Sequence, residues 1–484
     1  MIVKPLPRMN AKLFKKLLDA QASLCAVTKC RYSSNVEDFF KFYSDKKCDL
    51  DQKYRVLDDK DYARFFSKRA LRREPAFTRQ ITSLAYKAGK RMISLAEGMP
   101  NEAIFPFTRL ELTTRAGGKM VFDEKELATA LQYIPSQGLP PLLLELHAWQ
   151  QQLHRPPALP APRDVLVTSG AQHGIYQCAE LLLDTGDAVV TTEYSYAGVF
   201  SVLRPYKPDI IGIPEDEDGL VPETLESVLK ERLSRALPMP KLMYLIPTGN
   251  NPTGTVLPER RRRQIYELAC KYDLLILEDD PYMFLNYTQK IPPSFLSLDV
   301  CGRVIRLDSL SKVVSSGLRS AWVTAPAALI HRAELHTQAE ILHPCTLTQA
   351  ITYHLMRNRS AFASHLVSTR SFYAHRKRAL SAALRDVRHL VHANEPAGGL
   401  FHWARIRDVD DVYNLVFNTA FDRGLMLVPG QAFLLDSRAP CQHLRLTFSK
   451  IPLADMQSAV RLLADVVRVE QKLAQQQRRR ATEL

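Results

Sequence analysis

No stretch of the 484-residue sequence reaches the 18 or more consecutive apolar residues that a membrane-spanning helix needs. No apolar h-region follows the basic N-terminus, so neither a membrane span nor a secretory signal is predicted. The eight cysteines (Cys25, Cys30, Cys48, Cys178, Cys270, Cys301, Cys345, Cys441) include no Cys-x-x-Cys pair, and no histidine cluster has ligand spacing. Neither a zinc site nor a disulfide framework is signalled, and a reducing compartment fits best. Internal repeats and low-complexity tracts are lacking. With 46% hydrophobic and 24% charged residues, the chain reads as two or three globular domains with a large core.

Acid is scarce at the N-terminus. Residues 1–35 carry seven basic residues against the single Asp19, and another basic run, Arg478-Arg479-Arg480, lies near the other end. Much of the net charge of +14 therefore sits at the ends, and the body has a mixed-sign solvated surface, so nucleic-acid binding is not implied. The leader, with Leu13, Phe14, Leu17 and Leu18 among lysines and ending in Arg31-Tyr32-Ser33-Ser34, reads as a mitochondrial transit peptide or as a disordered cytosolic extension. The compartment is accordingly the mitochondrial matrix or the cytoplasm. The mixed-charge stretch Glu37 to Lys60 is expected to be a poorly ordered spacer.

From about Asp61 the pattern becomes α/β. Short, continuously apolar runs at Asp164–Thr168, Ala188–Thr192, Lys241–Ile246, Leu274–Leu277, Val304–Leu307 and Ala321–Thr324 alternate with helical patterns at Gln172–Leu183, Pro222–Leu233 and Pro258–Tyr272. Runs without polar alternation belong in a sheet covered on both faces, so a mostly parallel central sheet wound with helices is predicted. A long helical run over Ser360–Leu390 leads to a smaller α+β domain, with strands near Leu400–Ile406 and His443–Phe448 and helices near Val409–Arg423 and Leu453–Gln471. The expected domains are an extension at 1–60, a segment at 61–115 covering the active site, a large domain at 116–365, a small domain at 366–470 and a basic tail at 471–484.

Active sites of such sheets gather at the carboxyl ends of the strands. Lys312, in Ser309-Leu-Ser311-Lys312, follows one of them. Asn251-Pro-Thr-Gly254 and Glu278-Asp279-Asp280-Pro281-Tyr282 follow two others. Each alone is a turn or a strand terminator. The ordered set Ser169-Gly170-Ala171-Gln172, Asn251-Pro-Thr-Gly254, Asp279-x-x-Tyr282, Ser309-x-Ser311-Lys312, Arg319 and Arg445 resembles the pyridoxal-phosphate aminotransferases of fold type I, over about residues 61–470. Ser94-Leu-Ala-Glu-Gly98-Met-Pro-Asn, Leu131-Gln-Tyr133-Ile-Pro-Ser-Gln-Gly138 and Ser315-Ser-Gly-Leu-Arg319 are similar to the kynurenine/α-aminoadipate members.

The resemblance implies a pyridoxal 5'-phosphate cofactor and no metal. Lys312 would form the Schiff base and shuttle a proton, and Asp279, rather than Asp280, would keep the ring nitrogen protonated. Tyr282 and Asn251 would bond the ring oxygen. Ser309, Ser311, Arg319 and the backbone of Ser169, Gly170, Ala171 and Gln172 would hold the phosphate. Tyr196 would stack on the ring, with Tyr194 a competing choice. Arg445 would grip the substrate carboxylate with two parallel bonds.

Arg79, Gly98 and Met99 would line the substrate pocket. Tyr133 would enter from a second subunit of a homodimer with shared active sites. Ala171 stands where some relatives carry a hydroxyl, Glu97 replaces a common glycine, and Phe77 and Thr78 replace a proline-rich stretch. The activity implied moves an amino group from 2-aminoadipate or kynurenine to 2-oxoglutarate by a ping-pong route. A broad aromatic or aliphatic aminotransferase, with or without a side β-lyase activity, is the alternative. An aminotransferase-like transcription regulator is the rival of another class, but residues 1–60 contain no glycine and show no helix-turn-helix spacing.

Overall fold

The structure, a computed structural model, describes residues 36–44, 53–78, 81, 84, 93, 95 and 98–482. The proposed transit peptide, Arg79 and Glu97 lie outside them. Seven strands build the large sheet: β1 Arg163–Ser169, β2 Ala188–Thr192, β3 Asp209–Ile213, β4 Leu242–Leu245, β5 Leu275–Asp279, β6 Val304–Ser309 and β7 Ser320–Pro326. Their spatial order is β1-β7-β6-β5-β4-β2-β3. Every pairing is parallel except the two made by β7. The six expected strands are present. The seventh, β3, escapes a pattern reading because it is an edge strand, half-exposed and interrupted by Gly212.

Successive side chains of a strand point to opposite faces, and both faces here are apolar. Leu275 and Leu277 belong to one core cluster, with Ile175, Leu181 and Leu182 of helix α1 (Ala171–Leu182). Ile276 belongs to the other, with Leu225 of α2 (Pro222–Ser234) and Ile265 and Tyr266 of α3 (Glu259–Lys271). Helices on both faces explain why these strands read as unbroken hydrophobic runs.

Helix α4 (Arg359–Asp386), 28 residues long, leads from the large sheet to the smaller one. The smaller sheet holds β8 Val391–Ala393, β9 Phe401–Ile406, β10 Val428–Pro429 and β11 His443–Thr447, all antiparallel in the order β8-β9-β11-β10. Helix α5 (Met456–Thr482) closes the unit.

Three expectations are corrected. Residues 37–60 are not simply a spacer, since Phe39 of the helix Val36–Ser44 is buried against Trp149 and Phe284, and Leu57 is 3% exposed. Glu37, Asp38 and Lys41 are exposed on the outer side of this helix, whose other side is aromatic. The tail at 471–484 is, up to Thr482, the last turns of α5, with Arg478 paired to Asp410 at 2.6 Å. Finally, residues 61–73 do not cover the carboxyl edge of the sheet. Tyr62 donates to Gly302 O (2.7 Å) just before β6, and the Ser67 N–H donates to Leu181 O (2.8 Å) at the far end of α1, so they dock on the opposite edge.

Candidate active site

Topology brings the chemistry-bearing residues to one place. β1, β5 and β6 end at Ser169, Asp279 and Ser309. Antiparallel β7 begins at that same edge, with Ser320 opposite Ser169, so Arg319 sits beside the β1–α1 turn. Between these ends and β9 and β11 of the small domain lies a cavity of about 310 Å³. Eleven of the residues picked from the sequence line it: Ala171, Gln172, Tyr196, Asn251, Asp279, Tyr282, Ser309, Ser311, Lys312, Arg319 and Arg445.

At one end stands an anion cradle. Arg319 Nη1 donates to Ser311 Oγ (3.2 Å) and to Ser316 O (3.0 Å), and Ser309 Oγ donates to Ser311 Oγ (3.0 Å). Gly170, the residue before α1, makes no side-chain cap, and Ala171 adds no hydroxyl, so the first N–H groups of the helix face the cavity with its positive dipole end. Gly170 has φ +84°, and a Cβ there would lie 1.9 Å from Arg319 Nη2. A Gly170→Ala protein would have to strain its backbone and displace the guanidinium, at about 1–3 kcal/mol. It is expected to fold but to bind cofactor at least about tenfold more weakly, as titration of the apo form would show.

At the other end is Asp279, 3% exposed. Its Oδ2 accepts from Tyr244 Oη at 2.7 Å, whereas its Oδ1 is buried with no partner among the described residues. Burial, with repulsion from Asp280, pushes this carboxyl up to about 7 against the Tyr244 bond and the attraction of Lys312. Asp280 accepts instead from Thr248 Oγ1 (3.2 Å) and Arg306 Nη1 (3.3 Å). Arg306, fully buried, is held in turn by Glu278 (3.0 Å) and Asp308 (2.7 Å). Asp280 is thus structural, and Asp279 alone faces the cavity.

Lys312 lies between the two ends. Burial, then the charges of Arg319 and Arg445, hold its amine below the usual lysine range, with Asp279 opposing. Arg445 Nη1 donates to Asn251 Oδ1 (2.9 Å), and its guanidinium packs on the Phe401 ring (4.2 Å) and the Phe433 ring (4.9 Å). These rings and that bond leave the planar fork aimed into the cavity, and Nε is buried without a partner. Tyr282 is buried. Tyr196 lines the cavity, whereas Tyr194 packs on Trp403 (5.0 Å) and His443 (5.5 Å), which separates two residues the spacing left equal.

Ser169 and Gly170 adjoin the cradle without lining the cavity, with Ser169 O accepting from Arg319 Nη2 at 3.5 Å. Three picked residues are not brought together with the rest. Tyr133 is 45% exposed beside His343, and neither Gly98, exposed with no atom within 4 Å of its Cβ position, nor Met99 lines the cavity. The sequence reading missed Tyr244, Phe401 and Phe433. Tyr244 had a signal, being the lone hydroxyl in the apolar run of β4. In register with Leu277, it lies diagonally across from Asp279.

The donor set fits one kind of molecule: an anionic phosphate in the cradle, a protonated ring nitrogen against the partnerless oxygen of Asp279, and a carbonyl within reach of Lys312. Among the described residues no group of histidine, cysteine or acid side chains could hold a metal, and no helix is long and apolar enough to cross a membrane.

The aminotransferase class I and II family model matches residues 91–463. The mouse protein named kynurenine/alpha-aminoadipate aminotransferase, mitochondrial, is 38% identical over 421 residues, covering 84% of this chain and 99% of that protein. Aromatic-amino-acid aminotransferase 1 of Thermococcus litoralis is 31% identical over 413 residues, covering 85% and 96%. An aminotransferase structure from Candida albicans superposes with a TM-score of 0.76 at 26% identity, covering 87% of this chain and all of that one. Kynurenine aminotransferase from Pyrococcus horikoshii gives 0.68 at 29% identity, covering 85% and 98%. The chain belongs to the class I and II aminotransferases, and is a pyridoxal-phosphate-dependent transaminase of fold type I.

Proposed function

We propose that the protein moves the amino group of 2-aminoadipate or kynurenine to 2-oxoglutarate in two half-reactions at one site. The observation that carries the chemistry is the convergence on one cavity of the depressed amine of Lys312, the partnerless oxygen of Asp279 and the stacked fork of Arg445. The substrate class rests on relatives at 38% identity whose names carry kynurenine and alpha-aminoadipate.

Pyridoxal phosphate, when bound, supplies an electron sink for the charge left when the substrate Cα loses its proton, and carries the amino group between the half-reactions. The protein's own residues do the rest. Arg319, Ser309, Ser311 and the N–H groups at the start of α1 hold the phosphate. Asp279 would accept the ring N–H, Asn251 and Tyr282 would donate to the ring oxygen, and Tyr196 would pack against the ring. Arg445 binds the α-carboxylate of donor and acceptor alike, which fixes the Cα–H bond against Lys312. The Lys312 amine, held below the usual lysine range by burial and by Arg319 and Arg445, takes that proton and returns it.

Two structural readings accompany this one. Tyr133, exposed outside its own cavity, would reach the phosphate of a second subunit, and Arg79, Gly98 and Met99 would complete the pocket in a homodimer. Light scattering of the purified protein tests that. Residues 1–34 would direct the chain to the mitochondrial matrix, as N-terminal sequencing of the protein from its native cells would show.

The donors are ranked by recording the visible absorption of the purified enzyme before and after each is added without acceptor. Loss of the visible band with 2-aminoadipate and kynurenine is expected. A band that responds only to phenylalanine or tyrosine would favour the aromatic reading supported by the Thermococcus litoralis relative, and a band that ignores all four would overturn the substrate assignment.

A further inference from the structure

Directly after β3 the chain makes a two-residue strand, Glu215–Asp216, whose first side chain turns under the loop that carries Asn251. The Glu215 carboxyl accepts from Asn250 Nδ2 (2.9 and 3.1 Å), from Thr255 Oγ1 (3.3 Å) and from Thr253 Oγ1 (3.4 Å). Among the described residues no cation closes this set. Arg261 of α3, close by in the chain fold, is bidentate to Asp216 at 2.5 Å, and the other charge felt by Glu215 is the like charge of Glu193. Yet the loop it holds is a junction. The Asn250 N–H donates to Thr255 O (3.0 Å), the Gly254 N–H donates to Asn250 O (2.7 Å), and Gly254 O accepts from the small-domain Ala397 N–H (3.1 Å). Asn251 in the same loop is the hydrogen-bond partner of Arg445. None of the reaction steps uses Glu215.

We propose that Glu215 is a positioning residue for the substrate-carboxylate clamp, fixing the Asn250–Thr255 loop so that Asn251 keeps the Arg445 fork aimed at the substrate. The proposal rests on the reading of Arg445 as the carboxylate-binding residue. Its logic is that of a buried polar group satisfied only by one loop conformation. Protonated, the carboxyl donates to a threonine hydroxyl while accepting from Asn250, and the set is complete. Ionised, it is a buried anion without a counter-charge beside Glu193, and the loop gains by opening toward water. Burial, reinforced by Glu193 and opposed by the hydrogen bonds from Asn250, Thr255 and Thr253, pushes the carboxyl up to about 8. A carboxyl raised in the closed loop favours that loop fully below its ordinary value of 4.5 and loses the contribution as pH rises from there to about 8. Grip on carboxylate substrates therefore weakens as pH rises toward about 8 and is steady above it.

The test compares Glu215→Ala, Glu215→Gln and Arg445→Gln holoenzymes in steady-state kinetics, with cofactor absorbance as the check on folding. Glu215→Ala is expected to raise KM for both amino donor and 2-oxoglutarate about tenfold, with kcat within about threefold and cofactor content unchanged. Glu215→Gln, which mimics the protonated acid, should match the parent near pH 5 and lose the parent's rise in KM between pH 5 and 8. Arg445→Gln should raise both KM values more than either. Unchanged KM in Glu215→Ala, or a Glu215→Gln enzyme that keeps that rise, overturns the positioning role while an impaired Arg445→Gln leaves the clamp standing. An Arg445→Gln enzyme with parental KM overturns the clamp itself and the proposal with it.

Discussion

A Lys312→Ala protein is expected to purify folded, to bind cofactor through the phosphate cradle, and to lose both the visible absorption band of the lysine-bound form and about 10⁴-fold or more of its turnover. Its folding should survive because Lys312 makes no hydrogen bond or ion pair on which a strand depends. The segment it sits in is pinned by others, the Val313 and Val314 N–H groups donating to Leu310 O and His365 contacting Val313 O at 2.7 Å. Its chemistry should not survive because the cavity holds no substitute. Lys312 is the one lysine among the lining residues. The arginines stay protonated and cannot accept a proton. Burial raises the Tyr282 hydroxyl further from a useful range. Asp279 is committed to the ring end by its bond to Tyr244. A single-turnover assay with 2-aminoadipate measures the loss directly. A variant that keeps parental turnover would remove Lys312 from the reaction and, with it, the reason the other residues converge there.

How far the sequence anticipates this depends on whether a signal is local. The strand ends are local. Continuous apolar runs bounded by Asn-Pro-x-Gly, Asp-Asp-Pro and Ser-x-Ser-Lys mark where a covered parallel sheet delivers polar groups, and the topology then assembles them. Asp279 is preferred to Asp280 by the resemblance alone, since strand parity says only that consecutive side chains take opposite faces; the structure gives one to Tyr244 and the cavity and the other to Arg306.

What is illegible is either weakly patterned or long-range. The half-exposed edge strand β3 has no clean period. The helix Val36–Ser44 hides its aromatic side among charges, and α5 extends past its apolar face into a run of arginines that reads as a tail. The choice of Tyr196 over Tyr194 needs Trp403 and His443, more than 200 positions away in the chain. Glu215 reads as one of four consecutive acids in a surface turn, and only the return of the Asn250–Thr255 loop over it reveals a buried carboxyl. Tyr133, Gly98 and Met99 mark the limit of a single chain, since their proposed partners belong to a second subunit.

Asp279→Asn is expected to divide stability from function. The asparagine keeps the acceptor for Tyr244 Oη but places an amide N–H₂ where the partnerless Oδ1 stood, so a ring N–H finds a donor instead of a carboxylate. The ring nitrogen then stays unprotonated, the electron sink is weakened, and turnover should fall about 10³-fold. The apo protein should move the other way. The folded carboxyl titrates at about 7 against an ordinary value of 3.8, so between those values the native state holds a proton that the unfolded chain has released. Native stability therefore falls as pH rises across that window, and above it the apo protein carries a buried anion that the attraction of Lys312 only partly offsets. Each unit of such a shift is worth about 1.4 kcal/mol, and leaving the new amide unpaired costs about 1–3 kcal/mol. The apo variant is therefore expected to be the more stable protein at pH 8, by about 1–3 kcal/mol, and to lose that advantage near pH 4. Adding cofactor reverses the ranking, because the ring cation supplies the parental carboxylate with its missing partner and stabilises that protein more. Calorimetry of both proteins, with and without cofactor at pH 4 and pH 8, checks all of this. An apo variant less stable than its parent at pH 8, or one with parental turnover, would show that the free oxygen of Asp279 is not the ring partner.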